Sequence, residues 1–73
     1  SDLSTLKNLA ESNQLYEDKF GFIFIVCATG KSADEMLAMI KIRLNNNVNA
    51  EMLNASKEQN KITKLRLEKL LLL

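Results

Sequence analysis

Residues 22–29 have the sequence Phe-Ile-Phe-Ile-Val-Cys-Ala-Thr, a continuous apolar run that lies between Gly21 and Gly30. In so short a run, hydrophobic periodicity alone does not separate a buried extended segment from a buried helix. The β-branched and aromatic content and the two flanking glycines favour an extended segment. The rest of the chain offers too few strand candidates to build a sheet around it.

The sequence before this run has the spacing of an amphipathic helix. Apolar residues recur at Leu3, Leu6, Leu9, Ala10, Tyr16 and Phe20. Asp2 or Ser4 is suited to cap the start of this helix, and Gly21 is suited to end it.

The sequence after the run predicts two further helices. Ser32 and Glu35 have the spacing of a capping box, and the asparagines of residues 45–49 favour a stop. The buried stripe between these signals is Met36, Leu37, Ile40 and Leu44. From Ala50 the chain is again helical, with apolar contacts from Met52, Ala55, Ile62, Leu65 and Leu70 and a solvated face around Lys57, Glu58 and Lys61. The fold predicted is all-α: a helical bundle fragment of about three helices with one extended apolar segment, residues 22–29.

Composition excludes several classes of function. Ten Lys and Arg against nine Asp and Glu give a net charge of +1 with both signs interspersed, unlike the basic patch of a nucleic-acid module or a polybasic membrane segment. The chain has no histidine and one cysteine, which excludes Ser-His-Asp catalysis, imidazole metal ligation and an internal disulfide. With no signal peptide or spanning segment visible, we expect a soluble, cytoplasmic protein with no nucleic-acid or membrane partner.

The hydrophobic content indicates part of a larger core. It reaches 47%, and the sequence ends in four leucines, residues 70–73. An apolar end left in water promotes aggregation. We expect it to be covered by more chain, by a second subunit, or by both.

Arg66 is the most informative charged residue. On a helix it has Ile62 and Leu70 one turn away on either side, and Leu65 and Leu67 adjoin it. One interpretation is an arginine whose methylenes pack on the apolar face while its head group reaches solvent. The other is a cation placed to bind an anionic ligand, because the guanidinium fork matches a carboxylate.

The segment Phe24, Ile25, Val26, Cys27 and Ala28 is a second candidate site. Its simplest interpretation is plain core. A functional interpretation rests on its backbone: an extended segment without ladder partners leaves N–H and C=O groups that need partners, and a polar heterocycle is one such partner. Cys27 itself fits a small buried hydrophobe better than a nucleophile.

A phosphate-binding loop at residues 30–32 is excluded. Gly30-Lys31-Ser32 matches the end of that motif, but Ile25 stands where the motif requires its first glycine.

The segment Tyr16–Ala28 resembles the Tyr-x-x-Lys/Arg-Phe-Gly-Phe-Pro-Phe-Ile/Val signature of the 2-oxo-4-hydroxy-4-carboxy-5-ureidoimidazoline (OHCU) decarboxylases. One local departure is Ile23, where the family usually has proline. Further matches follow in register to about residue 71: Gly30-Lys31-Ser32, Arg43-Leu44-Asn45, Glu51, Lys61-Ile62, Leu65-Arg66-Leu67 and Leu70.

The resemblance implies an all-helical, cofactor-free carboxy-lyase, typically a homodimer, that converts OHCU to (S)-allantoin in urate breakdown. It implies that Phe24, Ile25, Val26, Cys27 and Ala28 line the substrate pocket, largely through backbone groups, and that Arg66 reaches the substrate.

The family's catalytic histidine and glutamate lie in motifs upstream of the matched region, and residues 1–15 contain neither motif. We therefore expect residues 1–73 to be the C-terminal half of such a domain, without catalytic residues of its own and inactive when isolated. Two alternatives remain: a non-catalytic relative that serves as a scaffold, and an unrelated helical interaction module.

Overall fold

The computed structural model describes residues 3–71, which form three α-helices: α1 (Leu3–Phe20), α2 (Ala33–Arg43) and α3 (Val48–Leu71). Residues 23–28, between α1 and α2, belong to neither helix nor strand, and no β-strand occurs in the described part of the chain. The prediction of an all-α fragment of about three helices is confirmed, and the extended conformation predicted for residues 22–29 stays a prediction.

The helix ends follow from local chemistry. Gly21 takes a positive φ of 81° just after α1, a conformation that glycine adopts at helix C-termini without a Cβ clash. Ser32 caps α2, since its hydroxyl accepts a hydrogen bond from the Glu35 N–H at 3.1 Å. The third helix begins at Val48 rather than at Ala50, because the Asn47 side chain accepts from the Ala50 N–H at 2.8 Å. Asp2, a predicted cap of α1, lies outside the described residues.

The apolar core lies between α1 and α2, closed by the segment that joins them. Tyr16, Phe20 and Ile40 are buried, and the half-buried residues packed on them are Leu9, Phe22, Phe24, Leu37 and Leu44. The ring of Tyr16 meets Phe20 at 4.6 Å and Phe24 edge-on at 5.2 Å between centroids, which are favourable aromatic arrangements. This cluster fixes the direction in which the non-helical segment leaves α1.

The molecule is thin, and much of its apolar surface is open. Its principal extents are 38 × 32 × 15 Å, so its smallest dimension is little more than one helix diameter of about 10–12 Å. Met52 and Leu70, predicted as packing residues of α3, are 57% and 65% exposed, and that prediction is wrong for residues 3–71 taken alone. None of the helices described is long and apolar enough to cross a membrane.

Candidate functional site

A buried ionic network joins the three helices beneath the non-helical segment. The carboxylate of Glu51 on α3 is fully buried. Its Oε1 accepts hydrogen bonds from the Tyr16 hydroxyl at 2.6 Å and the Arg43 Nε at 2.7 Å. Its Oε2 accepts from the side-chain amides of Asn46 at 2.8 Å and Asn54 at 2.7 Å. Each carboxylate oxygen therefore has two donors, which is what a buried charge needs in order to be tolerated.

The network also holds the non-helical segment. Arg43 donates from Nη1 to the Ile25 carbonyl at 2.8 Å, and its guanidinium carbon lies 4.5 Å from the centroid of the Phe24 ring. Ion pair, hydrogen bond and cation–π contact thus converge on one side chain. Arg43 therefore couples the core to the backbone that leads into the candidate site.

Hydrogen bonding sets the protonation states in this network. Burial by itself would raise the pKa of Glu51, but the bonds from Asn46, Tyr16, Asn54 and Arg43 outweigh it and lower the pKa to about 2. Burial and the bond to Glu51 raise the pKa of Tyr16 to about 12. Glu51 is therefore a fixed anion at neutral pH, and Tyr16 is a fixed donor.

A second buried carboxylate holds the Cys27 peptide. Glu58 on α3 is 7% exposed, accepts from the Cys27 N–H through Oε1 at 3.3 Å, and pairs through Oε2 with Lys61 at 2.6 Å. The Lys31 amine donates to the Cys27 carbonyl at 2.9 Å. The prediction that Glu58 lies on a solvated face is therefore wrong, because this carboxylate turns inward to a backbone donor.

Three backbone groups of this segment are held by side chains: the Ile25 carbonyl, the Cys27 N–H and the Cys27 carbonyl. They belong to two alternate residues of the chain. No cis peptide bond occurs here, and a planar trans peptide points its C=O and N–H in opposite directions. The Val26 N–H, the Val26 carbonyl and the Ala28 N–H therefore point away from the side chains that hold the other half of each peptide group. Within residues 3–71 they form no hydrogen bond. They remain available to a partner that supplies polar atoms.

A cavity of about 280 Å³ lies beside this segment. It is lined by Val26, Cys27, Ala28, Thr29, Ile62, Leu65, Arg66 and Lys69. The structure therefore brings Arg66 on α3 together with three of the predicted segment residues, Val26, Cys27 and Ala28. The apolar walls of the cavity include the buried Cys27. Its two cationic side chains are Lys69 and the exposed Arg66.

The structure does not bring Phe24 and Ile25 to this cavity. Phe24 packs on Tyr16 and Arg43 in the core, and Ile25 lines a separate apolar groove with Phe22 and Met52. Their assignment to a substrate stays a prediction. Elsewhere among residues 3–71, no group of three or more Cys, Asp or Glu side chains is arranged to hold a metal ion.

Sequence reasoning missed the structural roles of Arg43, Glu51 and Glu58. A signal for the two carboxylates was present: Glu51, Ala55, Glu58, Ile62 and Leu65 follow each other at intervals of four, three, four and three residues. That spacing is one face of a helix. A carboxylate that interrupts an otherwise apolar face is expected to be buried with partners, as both are here.

Comparisons with known proteins point to one family. The family model described as OHCU decarboxylase matches residues 1–68. The chain is 52% identical, over 92% of its length and 21% of the relative's, to the uric acid degradation bifunctional protein TTL of Arabidopsis thaliana. It is 38% identical to the 2-oxo-4-hydroxy-4-carboxy-5-ureidoimidazoline decarboxylase of Amia calva, over 77% of this chain and 32% of that protein.

A solved structure matches almost the whole chain. It is described as OHCU decarboxylase in the presence of (S)-allantoin, and it superposes with a TM-score of 0.93 at 50% identity. The match covers 96% of this chain and 49% of that one. The chain thus spans about half the length of the solved relative, and less of the curated ones.

Proposed function

The chain belongs to the OHCU decarboxylase family, and from this premise we propose that residues 1–73 are the C-terminal half of a decarboxylase that forms (S)-allantoin from OHCU. In this proposal the half supplies groups that hold the substrate. The family's histidine and glutamate, in the motifs upstream of the matched region, supply the chemistry. The observation that carries the proposal is the cavity shared by Val26, Cys27, Ala28 and Arg66.

The reaction explains why these groups suit the task. Loss of carbon dioxide breaks the bond between the carboxyl carbon and the ring carbon, and the electron pair stays on the ring. Preorganised donors stabilise that charge, and an acid then protonates one face of the carbon. In our proposal Arg66 pairs with an anionic group of the substrate, and the free backbone groups of Val26 and Ala28 bond the polar ring.

A proton donor is what the described part of the cavity lacks. No histidine or carboxylate lines it within residues 3–71, and these are the side chains that most often transfer protons in catalysis. The network around Glu51 is committed to the core. We therefore propose that residues 1–73 alone show little or no decarboxylation.

The test uses the complete protein and follows (S)-allantoin formation from freshly generated OHCU. We expect Arg66→Ala to weaken substrate and allantoin binding, while Lys7→Ala, an exposed cation on α1, leaves both unchanged. Unchanged binding and activity in the Arg66→Ala variant would refute the role of Arg66, and no allantoin formation by either protein would support a non-catalytic scaffold. Enzyme-like turnover by residues 1–73 alone would refute the assignment of catalysis to another part of the protein.

The open apolar surface indicates that this part of the protein has a covering partner. We propose that the preceding half of the domain or a second copy covers the exposed leucines Leu53, Leu67 and Leu70, as in a homodimer. Native and denatured masses of the source protein test this: a denatured mass near twice 8.3 kDa indicates the preceding half, and a doubled native mass indicates the dimer.

The single buried, free Cys27 fits a reducing compartment, and we propose the cytoplasm.

A further inference from the structure

The Cys27 peptide is held by two opposite charges that the proposed reaction does not use. Glu58 accepts its N–H at 3.3 Å, and Lys31 donates to its carbonyl at 2.9 Å. Burial by itself would raise the pKa of Glu58, but the hydrogen bonds from Lys61 and the Cys27 N–H and the charges of Lys61 and Lys31 outweigh it and lower that pKa. Glu58 is thus held as an anion beside a backbone donor.

A carboxylate at this buried position is energetically unfavourable unless it has partners. Glu58 lies on the helical face between Ala55 and Ile62, where an apolar side chain would pack without the desolvation cost of a buried charge. The exposed Lys61 needs no buried partner, because solvated ion pairs add little to stability. What a methionine or leucine would lose at this position is an acceptor for the Cys27 N–H.

The hydrogen bond from the Cys27 N–H to Glu58 affects the cavity because of where Cys27 lies in the chain. Cys27 lies between Val26 and Ala28, which both line the cavity, and neither the Val26 backbone groups nor the Ala28 N–H form a hydrogen bond within residues 3–71. No strand ladder holds this segment within residues 3–71. The Cys27 N–H shares a planar peptide group with the Val26 carbonyl, and the Cys27 carbonyl shares one with the Ala28 N–H. Holding the two Cys27 groups therefore fixes the direction of their partners.

We propose that Glu58 is a positioning residue: by holding the Cys27 N–H, while Lys31 holds the Cys27 carbonyl, it aims the Val26 and Ala28 backbone groups into the cavity beside Arg66. This inference rests on the proposed function. It adds a residue that never touches the substrate but determines whether the backbone that does is correctly oriented.

The test compares two substitutions of similar size in the complete protein. Glu58→Gln keeps an acceptor oxygen for Cys27, whereas Glu58→Met fills the same space without one. We expect Glu58→Met to raise KM or lower kcat/KM by about tenfold or more, the scale of one lost charged hydrogen bond. We expect Glu58→Gln to stay close to the wild type, as does the control Glu11→Gln, an exposed carboxylate on α1.

Amide hydrogen exchange supplies a readout that is independent of activity. We expect the Cys27 amide to exchange markedly faster in Glu58→Met than in the wild type, with α1 and α2 equally protected in both. Glu58→Gln should restore the protection. A purely structural role for Glu58 predicts faster exchange throughout α3 and the core, with no rescue by glutamine.

The outcomes separate this inference from the proposed function. If the wild type forms no allantoin, the proposed function fails, and exchange at Cys27 still decides whether Glu58 holds the segment. If the wild type is active and Glu58→Met is folded with unchanged kinetics, the positioning role is refuted. Should Glu58→Met not fold, Glu58→Asp replaces it: the shortened carboxylate withdraws from Cys27 and should raise KM, and an unchanged KM refutes the role.

Discussion

Two arginines of this chain, Arg43 and Arg66, each lie among apolar helix neighbours but have opposite surroundings. Arg43 is buried, with Glu51, the Ile25 carbonyl and two aromatic rings around it. Arg66 is exposed at the rim of a cavity and forms no ion pair or hydrogen bond within residues 3–71. A buried cation whose donors are used stabilises the fold. A cation with free donors beside a cavity is available to bind an anionic ligand.

The largest effect we expect comes from removing the buried member of this pair. Arg43→Met leaves Glu51 buried with fewer donors and releases the Ile25 carbonyl. Breaking a buried ion pair in this way costs about 3–5 kcal/mol. Chemical denaturation of the complete protein measures it. A loss below about 0.5 kcal/mol, the range of ordinary surface substitutions, would show that the network contributes little to stability.

Acid should reveal the same network without mutation. The pKa of Glu51 falls from 4.5 to about 2 on folding, so between these values the unfolded chain binds more protons than the folded one. Its contribution is fully present above pH 4.5 and is lost as the pH falls towards 2. Unfolding free energies measured across this window test the prediction, and Glu51→Gln should flatten the dependence. An equal slope in that variant would assign the acid sensitivity to other carboxylates.

The smaller contribution of Tyr16 can be isolated by Tyr16→Phe. This substitution keeps the ring contacts with Phe20 and Phe24. It removes the hydrogen bond to Glu51 and the longer one accepted from Arg43 Nη2 at 3.4 Å, and the bond to the charged acceptor alone is worth about 1.5–3 kcal/mol. The wild type should also lose stability as the pH rises from 10 to about 12, because the pKa of Tyr16 is raised in the folded state. Tyr16→Phe lacks that group, and an unchanged alkaline transition in the variant would contradict the assignment.

The fold was largely predictable because its signals are local. Gly21, Ser32 and the asparagines at 45–47 mark helix ends through their own backbone and side-chain bonds, and the structure places α1 and α2 where those signals indicate. The start of α3 was missed by two residues because Asn47 both ends the turn and caps the next helix. The helix-end signals and the Asn47 cap both depend only on residues that are close together in the sequence.

The site was predictable only in part because it depends on contacts between distant residues. The neighbours of Arg66 and the lack of strand partners for Val26–Ala28 pointed to the two halves of the cavity. Glu58 meets Cys27 across 31 positions of the chain, and Tyr16 meets Glu51 across 35. Only the helical interval between Glu51 and Glu58 hinted that both carboxylates turn inward.

The sharpest form of the comparison makes the same substitution at the second arginine. Arg66→Met should change the free energy of unfolding of the complete protein by no more than about 0.5 kcal/mol, because an exposed side chain without partners is replaced by one that packs similarly. Its effect should appear in ligand binding instead, as weaker calorimetric affinity for (S)-allantoin. A loss of stability close to that of Arg43→Met, with allantoin affinity retained, would reverse the assignment and make Arg66 a second structural cation. Unchanged stability with weakened binding would establish that burial and partner count, rather than apolar neighbours in sequence, distinguish the two arginines.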